Sequence, residues 1–392
     1  MHSVNLENKF HKIAIVSAIS ETMIAFMPSH LLALRDVYSV SAVCGGAKNI
    51  ASHMKVRNVN YIEIPIARKV SPMKDLVSLV KLLYLFRAEK FTLVHSITPK
   101  AGLLSMLAAW ICQVPIRVHI FTGQVWVTRS GFSRWYLKNF DRLIAALATS
   151  LLADSPSQKQ FLVNEGIASV RDIEVLGDGS ICGVDAIRFK PNNDSKIRVR
   201  TELGVPVDCV LALFLGRLKK DKGVLDLALA FGDARYRLNN LYLLFVGPDE
   251  DNLKAQILEL VACNRNYVRF VGSVNNPEDF FSAADFLCLP SYREGFGLVT
   301  IEAAAAGIPT LASRIYGITD VIVDGVTGIL HEPGNSTEIA LGLQEMASNR
   351  KSCQAMGEAA HKRALELFST SRVVNAQLDY YKSLIQRYES HA

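Results

Sequence analysis

Residues 286–309 limit what this chain can fold into more than any other stretch. Phe286, Leu287, Cys288, Leu289 and Pro290 form an apolar run, S-Y-R-E-G-F-G follows, and helix formers run from Leu298 to Ala306 before Gly307 and Pro309. That order predicts a buried strand, a glycine-containing loop, and a helix ended by glycine with proline just beyond. Gly295 and Gly297 flank the helix start, where the absence of a Cβ lets backbone approach a ligand closely. A helix N-terminus presents unpaired N–H groups and the positive end of a dipole, so it suits anions, phosphate above all. The amides of Gly295, Phe296, Gly297 and Leu298 are the candidate donors.

Two carboxylates bracket that anion site, Glu294 on the loop and Glu302 within the helix. Acids beside a phosphate site would weaken it, so they are read as acceptors for ligand hydroxyls. A carboxylate on the ribose of a dinucleotide is the physical precedent.

A second strand-and-loop unit lies at residues 210–223. The apolar run 210–215 leads into Gly216-Arg217-Leu218-Lys219-Lys220-Asp221-Lys222-Gly223. Arg217 and Lys222 thus share one short loop after a strand's carboxyl end, where α/β sheets bind ligands. Two cations facing a helix N-terminus would neutralise a diphosphate from both sides. Lys219 and Lys220 read as solvated surface charge.

The first half repeats the strand–helix alternation, with strands expected at residues 12–17, 38–43 and 61–64 and a strand running into a loop over residues 116–123. A strand also ends at His95, and a helix starts near Pro99 with Lys100 in its first turn. A lysine there opposes the helix dipole, so another partner is expected. His119 lies within a strand, where histidine is usually a satisfied core residue, and Thr122 follows at the strand's end. Such alternation implies doubly wound parallel sheets. The segments 72–86 and 132–144 mix apolar and aromatic residues with cations. The first reads as a helix covering a sheet. The second suits packing and a membrane headgroup region equally.

At 392 residues the chain has room for two or three domains, and half its residues are hydrophobic. Residues 1–190 hold 22 Lys+Arg against 13 Asp+Glu, and the remainder 21 against 24. A basic first half suits an anionic membrane surface or a phosphorylated ligand, while no basic run supports nucleic acid. Seven scattered cysteines without a C-x-x-C pair indicate a reducing compartment, hence a cytoplasmic protein that can rest on the inner face of a membrane. The uncharged stretch 101–116 is shorter than the ~20 residues of a spanning helix.

The E-x7-E of Glu294 and Glu302, the A-x-A-x-G-x-P run at 303–309, the D-G-x-T-G-x-L of residues 324–330 and the G-R-x-x-x-x-K-G of residues 216–223 together resemble the retaining glycosyltransferases of family 4, of GT-B fold. The H-x-x-T-P-K-A-G run at 95–102 resembles members that build surface polysaccharides on undecaprenyl diphosphate. The resemblance implies two doubly wound Rossmann-like domains facing a cleft. Residues 1–191 would bind acceptor, residues 192–370 the nucleotide sugar, and residues 371–392 would form a helix returning to the first domain. The polar run Asn192-Asn193-Asp194-Ser195-Lys196 is read as the hinge. Arg217 and Lys222 would hold the leaving diphosphate, Glu302 the ribose, Glu294 the sugar hydroxyls, and backbone near Val274 the base. His95 and Lys100 would meet the acceptor.

Two departures from the family stand out. The first loop, Ala18-Ile19-Ser20-Glu21-Thr22, lacks the Gly-Gly pair of many relatives. Thr122 stands where many members carry histidine, so His119 and Thr122 are both kept as candidates beside the reacting sugar. By analogy the donor is UDP with an N-acetylhexosamine, and the acceptor a polyprenyl-diphosphate glycan. No metal or other cofactor is expected, because the cations would stabilise the leaving group. A GT-B sugar-nucleotide epimerase and a non-catalytic scaffold of a polysaccharide assembly complex remain as alternatives.

Overall fold

In the computed structural model, which describes residues 11–46, 50, 56–67 and 71–391, the chain divides into two units. One comprises Met1–Cys182 with Thr370–Ala392, the other Gly183–Ser369.

The first unit holds a seven-stranded parallel sheet: β1 (Lys12–Ile19), β2 (Ser39–Gly45), β3 (Asn60–Glu63), β4 (Leu93–Ile97), β5 (Ile116–Phe121), β6 (Ser150–Ala153) and β7 (Ile173–Val175), in the order β3-β2-β1-β4-β5-β6-β7. Its central strands are buried on both faces, as helices on either side of a parallel sheet require. Among those helices, Pro99–Ile111 starts with proline at its first position, and Ser155 caps Pro156–Asn164 by accepting from the Gln158 N–H at 3.2 Å. The last helix, Thr370–Glu389, belongs to this unit. It buries Val373, Val374, Gln377, Tyr381, Leu384 and Ile385, a stripe at helical spacing.

The second unit holds a six-stranded parallel sheet: β8 (Val210–Leu215), β9 (Leu241–Val246), β10 (Val268–Val271), β11 (Phe286–Leu289), β12 (Thr310–Ser313) and β13 (Gly328–His331), in the order β10-β9-β8-β11-β12-β13. Strand order reverses between β8 and β11. The crevice outside the carboxyl ends of such a pair is where open α/β sheets take ligands. Both loops singled out from sequence, residues 216–223 and 290–297, leave those two strands.

Two expectations are corrected. Residues 192–196 are not a hinge. Asn192 accepts from the Ser195 N–H at 3.1 Å and so starts a helix, Asn193–Leu203, which Gly204 ends in the left-handed conformation. The units part earlier, between Cys182 and Gly183, because the following segment is tied to the second core. The Val184 N–H donates to the Phe368 carbonyl at 2.8 Å, and the Phe189 ring packs edge-on against Phe281. Nor do residues 18–22 form a loop. β1 runs to Ile19 and a helix begins at Ser20, with the pairing to β2 shifting register between Val16 and Ile19.

Candidate active site

Loop 216–223 and loop 290–297 are held together by backbone contact. Gly223 has φ +67°, and a Cβ there would stand 2.0 Å from the Pro290 carbonyl oxygen, so any larger residue would pry the loops apart. The Tyr292 N–H donates to the Asp221 carbonyl at 3.0 Å, Arg293 pairs with Asp221 at 3.2 Å, and the Tyr292 hydroxyl donates to Asp226 at 2.8 Å.

This packing places Lys222 Nζ 2.6 Å from Glu294 Oε1, with both side chains largely buried. Ser291 Oγ also donates to Glu294 Oε1, at 2.7 Å. Glu294 is thereby fixed in one orientation, by a cation and a hydroxyl. Arg217 stands on the same loop as Lys222, half-exposed, with Nη1 3.3 Å from Glu250. Lys219 meets the same Glu250 at 3.3 Å, a surface pairing in keeping with its reading as surface charge.

Helix Leu298–Ala305 begins directly after this cluster. Gly297 precedes it at φ +72°, where a Cβ would sit 2.3 Å from Ile318 Cδ1. No side chain caps the helix; the Thr300 N–H donates to the Gly297 carbonyl at 2.8 Å, and the amides before it are the ones suited to an outside acceptor. Glu302 lies in the second turn. Its carboxylate makes no hydrogen bond or ion pair among the described residues, and burial pushes its pKa up to about 7, opposed by Arg188 and reinforced by Glu278. A half-buried, unpartnered carboxyl is suited to accept from ligand hydroxyls. Val274 follows β10 and is partly buried against the core of the second unit.

The structure therefore brings Lys222 and Glu294 into contact, with Gly295, Phe296 and Gly297 leading from Glu294 to the helix start at Leu298 and Glu302 one turn further on, while Arg217, on the Lys222 loop, is paired with Glu250. Ser291 and Tyr292 escaped the sequence reading. Their only sequence signal is position, immediately before Glu294 on a strand-end loop.

The first-unit candidates fare differently. His95 is buried, with Nδ1 against the Tyr381 hydroxyl, and burial takes its pKa down to about 3. It fastens the last helix to β4 and is not presented as an acceptor contact. Lys100 has the partner its awkward position demanded, in Asp75, at 2.7 Å. That pair joins helices Pro72–Glu89 and Pro99–Ile111, so Lys100 is committed to packing. His119 is also buried, its Nδ1 is 2.7 Å from Ser96 Oγ, and burial lowers its pKa to about 3. It is neutral at any ordinary pH and serves the core. Thr122 lies partly exposed just past the end of β5, at the sheet's carboxyl edge. Thr98 went unnoticed. It adopts φ +76°, rare for a β-branched residue, and its buried hydroxyl has no partner among the described residues.

Helix Gly131–Leu147 turns two of its cations inward and leaves Arg142 exposed. Arg134 and Lys138 meet Glu165 at 3.2 and 2.7 Å and lie over the Trp126 ring. Phe132 and Trp135, stacked at 5.6 Å, are left 77% and 60% exposed. Among the described residues no helix is long and apolar enough to cross a membrane, and no three His, Cys, Asp or Glu residues cluster as metal ligands.

Comparison with known proteins follows the same division. Residues 195–363 match the family described as "Glycosyl transferases group 1", and residues 30–179 the "Glycosyl transferase 4-like domain". The chain is 30% identical to the capsular polysaccharide biosynthesis glycosyltransferase CapM of Staphylococcus aureus, over 83% of this chain and 86% of that one. It is 28% identical to a D-inositol 3-phosphate glycosyltransferase of Corynebacterium kroppenstedtii, over 90% of this chain and 81% of that one. Among solved structures, sucrose-phosphate synthase of Thermosynechococcus elongatus superposes with a TM-score of 0.79 at 20% identity, covering 96% of this chain and 100% of that one. HepE of Anabaena, in complex with UDP and glucose, gives 0.78 at 19%, covering 95% of this chain and 100% of that one.

Proposed function

The chain belongs to the family 4-type glycosyltransferases of GT-B fold, and from that premise we propose that it is a retaining enzyme of bacterial cell-surface polysaccharide assembly. It moves a sugar, an N-acetylhexosamine, from UDP to a hydroxyl of a lipid-diphosphate-linked glycan. The observation that carries this reading is the meeting of Lys222 and Glu294 on the loops before helix Leu298–Ala305, whose second turn holds Glu302. Similarity to the capsular enzyme CapM supports the polysaccharide setting, and the UDP complex of a GT-B neighbour supports the nucleotide.

In this mechanism the bond between the sugar's anomeric carbon and the diphosphate oxygen breaks, and negative charge builds on the departing UDP. Arg217, Lys222 and the amides at Gly297 and Leu298 stabilise that charge in a preorganised way. They supply what a metal ion would, so no metal is required. Glu302 accepts from the ribose hydroxyls, Glu294 from the sugar hydroxyls, and backbone at Val274 meets the base. The acceptor hydroxyl attacks from the face the leaving group vacates, and its proton passes to the departing phosphate oxygen. Thr122 and Thr98, at the carboxyl edge of the first unit's sheet, are assigned to the acceptor. The exposed Phe132 and Trp135 rest in the headgroup region of an anionic membrane.

The test is thermal stabilisation of the purified protein by a panel of nucleoside diphosphates and nucleotide sugars, repeated with Arg217→Ala and with a chelator. Ligands that bind the native state raise Tm once they exceed Kd. The expected result is a shift with uridine nucleotides, reduced in the variant and unchanged by chelator. No shift with any nucleotide overturns the reading.

A further inference from the structure

A cavity of about 650 Å³ opens at the carboxyl edge of the first sheet, beyond the ends of β1 and β2 and beside the segment after β3. Its volume is within the ~300–1,000 Å³ of ordinary ligand sites. Ile19, Pro65, Ile66, Met73 and Val77 give it an apolar lining, and Lys74, Lys81 and Glu21 supply its charges. We propose that this cavity binds a lipid diphosphate, taking the diphosphate at Lys74 and Lys81 and the first hydrocarbon units against the apolar wall. The proposal rests on the reading of the acceptor as lipid-linked, and deepens it by moving acceptor recognition away from His95 and Lys100.

Three observations favour this occupant. The first is charge. Lys74 and Lys81 are exposed on helix Pro72–Glu89, and neither forms an ion pair among the described residues, whereas Lys100 nearby is taken by Asp75. Among the described residues of the lining, Glu21 is the one opposing carboxylate, and it is itself engaged by Ser20 Oγ at 3.2 Å. Two cations against one acid leave a surplus suited to an anion.

The second is the outer face of that helix. Its inner face buries Ser78, Leu82 and Phe86, yet Met73, Val77, Val80 and Tyr84 are 77%, 53%, 57% and 78% exposed. These four follow the i, i+4, i+7, i+11 spacing of a single stripe, where a water-facing helix carries polar residues. The stripe begins with Met73 and Val77 in the cavity wall and runs outward along the helix. A hydrocarbon chain leaving the cavity would lie along it.

The third is composition. Among the described residues the lining offers mostly carbon, whereas a nucleotide needs donors and acceptors for its base and ribose.

The experiment titrates farnesyl diphosphate into the full-length protein by calorimetry, with inorganic pyrophosphate and UDP in parallel. Farnesyl diphosphate is expected to bind, and pyrophosphate more weakly. Lys74→Ala and Lys81→Ala should each weaken farnesyl diphosphate about tenfold, the loss of one charge-assisted contact. Val77→Asp should weaken it similarly and Val77→Leu should not. UDP affinity should be the same in all four, and because these side chains are exposed, Tm should hold. Equal binding of pyrophosphate, unchanged affinity in the lysine variants, or displacement of farnesyl diphosphate by UDP would each overturn the proposal. If UDP binds and farnesyl diphosphate does not, the cavity assignment falls and the transferase reading stands; the reverse result separates them the other way.

Discussion

Lys222 and Glu294 are 72 residues apart in sequence and 2.6 Å apart in space. The residue assigned to the leaving diphosphate and the one assigned to the sugar hydroxyls therefore form one ion pair, with Ser291 as a third member. A donor that engages both must take Lys222 towards phosphate while Ser291 keeps Glu294 in place. If Lys222 stabilises charge that appears only as the sugar bond breaks, Lys222→Ala should lower kcat by roughly 10²–10³-fold and KM little. Steady-state kinetics with a UDP-sugar checks this. A rise in KM at unchanged kcat would confine Lys222 to ground-state binding.

Glu302 gives a dependence on pH. Its folded pKa of about 7 is above the ordinary value of 4.5, so the protonated form is favoured in the native state. Its contribution to stability is complete below about pH 4.5 and is lost as pH rises through 7. Glu302→Gln removes the titration. The variant should gain on wild type between pH 5 and pH 8, by on the order of 2 kcal/mol after allowing for partial exposure. Affinity for a UDP-sugar should move oppositely. It should rise over the same window in wild type, as the carboxylate forms to accept ribose hydroxyls, and stay flat in the variant. Denaturant titrations and calorimetry at both pH values read the two effects.

The strands and loops of the second unit were legible because each part of that pattern has a local cause. A buried β11, a glycine at φ +72° and a run of helix formers leave few alternatives for residues 286–305. What failed was reading partners across distance. Lys100 looked available because its carboxylate, Asp75, belongs to another helix. His95 looked like a site residue because Tyr381, which covers it, lies 286 positions later. The polar run at 192–196 looked like a linker because composition is blind to the N-cap role of Asn192. Ser291 carries no signal until Glu294 is seen to turn towards it.

His119 and Gly102 pack directly against each other. A Cβ on Gly102 would stand 2.4 Å from His119 Cε1, within a fully buried stack. Glycine to alanine in a helix interior ordinarily stabilises by roughly 0.5–1 kcal/mol. Here the sign should reverse, with Gly102→Ala costing about 1–3 kcal/mol through overpacking. His119→Ala should cost about 2–4 kcal/mol by leaving a cavity and removing the shorter of the Ser96 hydroxyl's two hydrogen bonds. The double variant should be more stable than the sum of the two losses, since the new methyl enters the space the ring left. Activity per folded molecule in His119→Ala should persist, because the ring is neutral and buried in the core. A kcat fallen by orders of magnitude in a folded variant would restore His119 to the catalytic list.

The last prediction concerns how the protein meets a membrane. Helix Gly131–Leu147 resembles a basic amphipathic helix in sequence, yet Arg134 and Lys138 are spent on Glu165 and the Trp126 face. The large apolar side chains it leaves exposed are Phe132, Trp135, Tyr136 and Leu143, while the exposed Arg142 donates to the Gly166 carbonyl at 3.0 Å. Binding through this face should therefore be driven by aromatic insertion, with only a shallow dependence on salt beyond the general attraction of a basic first half. Trp135→Ser should weaken sedimentation with phosphatidylglycerol vesicles by about tenfold or more, in line with the ~1.5–3 kcal/mol of burying a large apolar side chain. Lys138→Ser should instead act on stability, by leaving Glu165 with one cation fewer. A steep loss of vesicle binding with salt, together with no effect of Trp135→Ser, would assign membrane contact to charge elsewhere on the first unit and leave the exposed ring pair without this role.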